Sequence, residues 1–451
     1  ATEPTTTMAA ATTGNADAET AAKVARAREL LDKADAAVRR KDDAAAAAAF
    51  DAVVFDVGAP AASASSVAAG ELYRLKERGV AGLADVHVRR GDAAAIGAVL
   101  RKVRPHFADM PKAKSAKMVR LLVERAASVA DSTDEQIAFV TECVQWATNE
   151  RRTFLRQRLE ARLGALLLDK REYQRALSTL QTLEREVKKF DDKLLLVEVQ
   201  LVQSRVHHAL RNVPKAKAAL TAARTSANAI YCPPHLQGMM DLQAGVLHAE
   251  ERDYNTAYSY FYETFETAHT TDEARAARAL KYMLLCKIML NKAADVDQVL
   301  TGKIALRYAG ADIDALRAVA AACHARSLRK FEAARRTFPP ALRDDAIIAT
   351  HLERHYATLV EQNLARIVEP YSRVELAHVA KLIELDVDVV ERKLAQMVLE
   401  RTINGILDQG KGHFILFDDE PDDDTYKASL DTIAQMGKVV DALHDQVRQL
   451  G

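Results

Sequence analysis

A small residue recurs twelve positions before a second small residue at three places along the middle of the chain, and that spacing dictates paired helices. Gly164 precedes Ala176, Ser204 precedes Ala216, and Gly245 precedes Ala257. Two antiparallel helices joined by a tight turn need small side chains where they approach closely, so each pair marks a helix A and helix B unit. The surrounding text agrees. Arg171-Glu172-Tyr173-Gln174-Arg175-Ala176 and Arg252-Asp253-Tyr254-Asn255-Thr256-Ala257 read as one turn and the start of helix B, with Asn212 to Ala216 (NVPKA) between them. The second small residue recurs after 40 positions (176 to 216) and 41 positions (216 to 257), longer than the roughly 34 of a strict tetratricopeptide repeat. A later copy is Arg329-Lys330-Phe331-Glu332-Ala333-Ala334, with Ala322 twelve before Ala334. Stacked pairs of this kind bury one continuous core and leave long surfaces for protein partners.

Composition fits an almost all-helical protein: only 17 glycines and 11 prolines in 451 residues, with abundant Ala, Leu, Lys, Arg and Glu. Lys plus Arg equals Asp plus Glu at 63 each, so no global field draws the chain to nucleic acid, an anionic membrane or an acidic substrate. Cys143, Cys232, Cys286 and Cys323 lie far apart without a C-x-x-C, which indicates neither a zinc site nor a disulfide framework and fits a reducing compartment. Residues 1 to 22 lack a basic segment followed by an apolar run, and no stretch is apolar enough to cross a bilayer. A soluble protein of cytoplasm and nucleus is expected. The expected organisation is a disordered 1–22, an Ala-rich helical segment and linker over 23–69 (58–70 reads GAPAASASSVAAG), a helical-repeat solenoid over 70–340, a helical end and winged helix over 341–418, an acidic linker over 419–424, and a terminal helix over 425–450.

The winged helix follows from residues 372 to 417. Ser372 with Glu375 reads as a capping box, and Leu376, Val379, Ala380 and Ile383 form one apolar helical face. Asp388 with Glu391 reads as the cap of a second helix carrying Val390, Leu394, Met397 and Val398. Ile406 and Leu407, then Phe414 to Phe417, flank Asp408-Gln409-Gly410-Lys411-Gly412, whose glycines permit the positive φ of a tight hairpin. Six cations between 373 and 418 (Arg373, Lys381, Arg392, Lys393, Arg401, Lys411) face eight anions (Glu375, Glu384, Asp386, Asp388, Glu391, Glu400, Asp408, Asp418). A net acidic wing is poorly equipped for phosphate neutralisation, so protein contacts are expected in place of DNA. Ile406, Leu407, Gly410, Gly412, Phe414 and Phe417 are the candidate contact residues, with strand addition as the mode.

After the acidic 418–424 (DDEPDDD) a heptad begins. Ile433, Val440 and Val447 occupy one seam position, and Met436, Leu443 and Leu450 the other. These six are expected to join a helix bundle with other chains, the alternative being that the stripe folds back on the chain's own solenoid.

Catalytic chemistry is not legible. Gly405-Ile-Leu-Asp-Gln-Gly410-Lys411-Gly412 approaches a phosphate-binding loop but lacks the Ser or Thr after Lys that ligates magnesium, and no helix is expected to follow it. His351-Leu-Glu-Arg-His355 puts two imidazoles on one helix face but lacks the glutamate directly after the first His, so a packed or solvated face is the plainer reading. No nucleophile elbow or dinucleotide fingerprint is present. No enzyme, cofactor or metal is expected.

Several runs carry a family resemblance: Lys102-Val-Arg-Pro-His-Phe107, Arg152-Thr-Phe-Leu-Arg-Gln157, Ala227-Asn-Ala-Ile-Tyr-Cys-Pro-Pro234, Thr256-Ala-Tyr-Ser-Tyr-Phe-Tyr-Glu263, the run from Leu280 to Leu290, Leu306-Arg-Tyr-Ala-Gly310 and Gly405-Ile-Leu-Asp-Gln-Gly410. With the repeats and the winged helix, they resemble the PCI-domain family shared by the proteasome lid, the COP9 signalosome and translation initiation factor 3, and within it the lid branch. The resemblance runs from about residue 70 to the end, and the first 70 residues depart from it. It implies an all-α solenoid of TPR-like helix pairs followed by a winged-helix (PCI) module with a small β-hairpin and a C-terminal helix. It also implies an obligate hetero-oligomer whose partners are other lid subunits, ATPase base subunits and core-particle α-ring subunits, with no nucleic acid and no membrane. Another PCI complex, or a winged-helix nucleic-acid binder, is the alternative.

Overall fold

The computed structural model describes residues 5–58, 66–107, 110–129, 132–383, 385–417 and 424–450. The chain divides into two compact units, Ala1–Glu251 and Arg252–Gly451.

The first unit is helical throughout its described residues. Helices α1 (Thr5–Arg39), α2 (Asp43–Asp51), α3 (Ser66–Arg90), α4 (Ala93–Val103), α5 (Lys112–Val129) and α6 (Thr133–Asn149) lead into α7 (Thr153–Asp169), α8 (Tyr173–Phe190), α9 (Lys193–Ala209), α10 (Val213–Asn228) and α11 (Pro234–Glu250). Neighbours pack in pairs, α6 on α7, α7 on α8 and α9 on α10 among them. Helix α1 runs across residue 22, where composition set a disorder boundary, because Ala-rich sequence without Pro lets a helix continue. Of the expected linker, residues 59–65 lie outside the described residues, and 66–70 open α3.

One turn design recurs between these helices. At the end of α7, Arg171 takes φ +70. Its N–H donates to the Leu168 carbonyl at 3.0 Å while the Glu172 N–H donates to Leu167 at 2.9 Å. That is a Schellman closure, which satisfies the last carbonyls of the helix. Arg211 and Asn212 repeat it on His208 and His207, and Asn212 then caps the next helix by accepting from the Lys215 N–H at 3.2 Å. The repeat therefore ends one helix and starts the next within three residues.

The small residues do what their spacing implied. A Cβ on Gly164 would fall 2.6 Å from a methyl of Leu180, so a larger residue there would force the buried Leu180 side chain to shift. The contact is with Leu180, one turn beyond Ala176. Between α9 and α10 the buried Ser204 hydroxyl donates to the Ala216 carbonyl at 2.8 Å. One large buried apolar cluster then extends from Leu31 to Val206.

The second unit holds α12 (Tyr254–Ala268), α13 (Glu273–Met289), α14 (Ala294–Leu300), α15 (Ala311–His324), α16 (Leu328–Thr337), α17 (Pro339–Arg343) and α18 (Ala346–Val368). The winged module follows: β1 (Arg373–Glu375), α19 (Leu376–Ile383), α20 (Val387–Leu399), β2 (Gly405–Asp408) and β3 (His413–Leu416), then α21 (Asp424–Leu450). Its antiparallel sheet has the order β1-β3-β2, with Val374 opposite Phe414 and Leu407 opposite the same residue. Two expectations are corrected here. Arg373–Glu375, read as the first turn of a helix, is a strand, because the Ser372 carbonyl accepts from the Leu416 N–H at 3.0 Å and the ladder with β3 claims the backbone. The second helix begins at Val387, so Asp388 lies in its first turn and is not its cap.

Candidate interaction surfaces

Helix α21 is amphipathic and unburied. Its residues 425 to 448 are all exposed. Ile433, Met436, Val440, Leu443 and Val447 stand out in water, Val440 at 63% and Leu443 at 55%. The side chain of Leu450 lies outside the described residues, as do residues 418–423 of the acidic linker. Exposing that many large apolar side chains along one helix is a cost that a partner's surface would remove. The stripe is also longer than the three heptads read from sequence. Tyr426, Leu430 and Val439 are exposed too, and Tyr426 lies seven residues before Ile433, in register with the first seam position, while Leu430 and Val439 flank the seam. The seven-residue step to Ile433 was present in the sequence and marks Tyr426 as a seam residue.

The wing is a hairpin with one free edge. Strand β3 lies in the middle of the sheet, which leaves β2 at an edge where another strand can add. Ile406 and Phe417 are exposed and Leu407 is half-buried. Phe414 differs: it is fully buried and packs beneath the sheet, so it holds the hairpin and offers nothing to a partner directly. Its ring and the Ile415 carbonyl close over Gly405, where a Cβ would come within 2.8 Å and 2.6 Å of them. In the turn, Gly412 takes φ +65 while Gly410 does not use positive φ. Asp408 closes the turn by accepting from the Lys411 N–H at 3.2 Å. The segment that resembles a phosphate-binding loop is thus strand, turn and strand, with no helix terminus to cradle an anion.

The two histidines on α18 are core residues. His351 is fully buried with its ring edge-on to Tyr254, centroids 6.0 Å apart, and His355 is buried with its pKa pushed down by desolvation. Among the described residues no group of three or more His, Cys, Asp or Glu is placed to hold a metal. Burial pushes the thiols of Cys143 and Cys323 up to about 11 and that of Cys286 up to about 12, the opposite of an activated nucleophile. Lys393, one of the few cations of the winged module, is tied to Glu361 at 3.2 Å. No described helix is long and apolar enough to cross a membrane.

Helix pairs, a winged helix whose exposed features are an edge strand and apolar side chains, and an unburied amphipathic helix define a PCI-type scaffold subunit, built to present surfaces. Residues 27–170 match the 26S proteasome regulatory subunit RPN6 N-terminal domain, 335–418 the PCI domain, and 422–446 the 26S proteasome subunit RPN6 C-terminal helix domain. The chain is 52% identical to the 26S proteasome non-ATPase regulatory subunit 11 homolog of Arabidopsis thaliana, covering 83% of this chain and 89% of that one. It is 48% identical to the 26S proteasome non-ATPase regulatory subunit 11 of Dictyostelium discoideum (83% and 91%) and 42% identical to the 26S proteasome regulatory subunit RPN6 of Saccharomyces cerevisiae (78% and 83%). The chain belongs to the family of 26S proteasome non-ATPase regulatory subunit 11, also called RPN6. Because the first match begins at residue 27, the family pattern reaches well into the segment before residue 70 that sequence reading had set apart.

Proposed function

We propose that the chain is a non-catalytic structural subunit of the proteasome regulatory-particle lid, which joins the lid to the ATPase base and the core-particle α ring and supports lid assembly in ubiquitin-dependent degradation. In this reading residues 70–340 form the arm, 341–418 the PCI end and 425–450 the helix that enters a bundle with other lid subunits. The observation that carries it is the exposed apolar stripe of α21, on a segment whose sequence matches a C-terminal helix domain of this family. Burial of the six heptad residues would contribute several kcal/mol to assembly, at roughly 1.5–3 kcal/mol per large side chain before ordering costs. Cytoplasm and nucleus are the proposed compartments, and the neutral overall charge and net acidic winged module favour protein partners over nucleic acid.

The test is affinity purification of the tagged chain at moderate salt, with mass spectrometry of what co-elutes. Lid, ATPase and α-ring subunits together are expected. Recovery of signalosome or initiation-factor subunits, or of no stable partner, would reject the assignment.

A further inference from the structure

The exposed stripe of α7 carries charge and aromatic surface that the first unit does not use. Phe154, Arg158 and Arg162 are exposed on this helix at four-residue steps, while Leu155, Leu159, Leu163 and Leu166 fill its buried side. Arg158 and Arg162, with Arg120 of α5, line a cavity of about 340 Å³ whose apolar floor includes Leu159 and Leu195. Several other cations on these helices are matched. Lys117 bridges to Glu77 at 2.5 Å, Arg125 to Asp85 at 2.9 Å, and Arg156 to Glu160 at 3.8 Å. Arg120, Arg158 and Arg162 have no carboxylate in ion-pair range among the described residues. Two acids share the cavity wall, Glu124 and Glu198. Three guanidiniums against two carboxylates leave the lining positive.

An apolar anchor stands at one end of the same stripe. Phe154 and Phe190 pair with ring centroids 6.0 Å apart yet remain 63% and 53% exposed. Two large aromatic rings held together in water, one turn from an arginine cluster, form the combination that dominates protein–protein hot spots.

We propose that this stripe is a docking groove for a linear segment of a protein partner that bears one large apolar side chain followed by carboxylates. The spacing follows from helix geometry. Arg158 and Arg162 lie about 6 and 12 Å along the axis from Phe154 at 1.5 Å per residue. An extended chain advances about 3.3 Å per residue, so acids two and four residues after the apolar anchor meet the two guanidiniums. Bidentate arginine–carboxylate pairing then fixes orientation. The proposal does not rest on the tail-mediated assembly described above.

The test uses the full chain and a fluorescein-labelled peptide with a Phe-Ser-Asp-Ser-Glu core, read by fluorescence anisotropy. Saturable binding that weakens with added salt is expected. Arg158→Glu with Arg162→Glu should lower affinity at least tenfold, and Phe154→Ala several-fold, with circular dichroism and the thermal transition unchanged. Arg336→Glu, an exposed change in the second unit, should leave binding as it was. Equal binding of a peptide with Asn and Gln in place of Asp and Glu would overturn the proposal. So would full affinity in the double arginine variant, or displacement of the peptide by a single-stranded oligonucleotide at lower concentration than by unlabelled peptide.

Discussion

The guanidinium of Arg152 lies 4.9 Å from the centre of the Trp146 ring and donates to the Ser115 hydroxyl and the Phe107 carbonyl. Arg104 approaches the same indole at 5.7 Å and pairs with Glu142 at 2.7 Å. Two stretches distant in sequence, 102–107 and 152–157, thereby meet at one residue of α6. Arg152 ties the turn before α7 to α5 and to the segment that precedes it. Replacing Arg152 with Ala should cost about 2 kcal/mol, since a cation–π contact and charge-assisted hydrogen bonds are lost together. Lys, which lacks the planar fork, should recover less than half. The shift in urea midpoint of the first unfolding transition measures both.

Arg171 holds a left-handed conformation that costs a side chain roughly 1 kcal/mol and glycine almost nothing. Its turn is closed by backbone bonds alone. Arg171→Gly should therefore stabilise the first unit by about 0.5–1 kcal/mol, partly offset by glycine's unfolded-state entropy. A denaturation curve that moves to lower urea would contradict the Schellman account.

Gly405 tests the wing. Adding a methyl group there forces apart the Ile415 carbonyl and the Phe414 ring, a strain of about 1–3 kcal/mol. Gly405→Ala should accelerate amide exchange across 405–416, whereas Gly410→Ala, in an ordinary backbone region, should leave it little changed.

His355 gives the second unit a pH dependence. Burial lowers its folded-state pKa below the usual 6.5, so the unfolded chain binds the proton more readily than the folded one. The stability it supports is present above about pH 6.5 and is lost as pH falls through the folded value. Between pH 7 and 5 the wild type should lose more stability than His355→Leu, measured by thermal melts in matched buffers. Parallel losses would show that the residue does not titrate on unfolding.

Much of this architecture was legible because its signals are local. Gly164, Ser204 and Ala216 mark helix crossings by their size, and the heptad of α21 is written directly in residues 433 to 447. The errors lie where distant residues decide. Ser372 and Glu375 satisfy a capping pattern, but β3, far downstream, captures Arg373–Glu375 as a strand. Phe414 and Phe417 look alike in a hairpin text. Only the sheet's packing sends the first to the core and leaves the second in water. The meeting of Trp146, Arg152 and Phe107 and the arginine-lined face of α7 likewise depend on which helices pack together, which no single helix encodes.

The central claim is that the exposed seam of α21 joins this chain to its complex. The most direct measurement is incorporation of Val440→Asp with Leu443→Asp into assembled 26S particles, followed by native gel and immunoblot in cells that depend on the variant. Two charges in the seam should abolish incorporation while the isolated variant keeps the wild-type circular dichroism spectrum and melting temperature, because neither residue contributes to the core. Normal incorporation of the double variant would contradict the account.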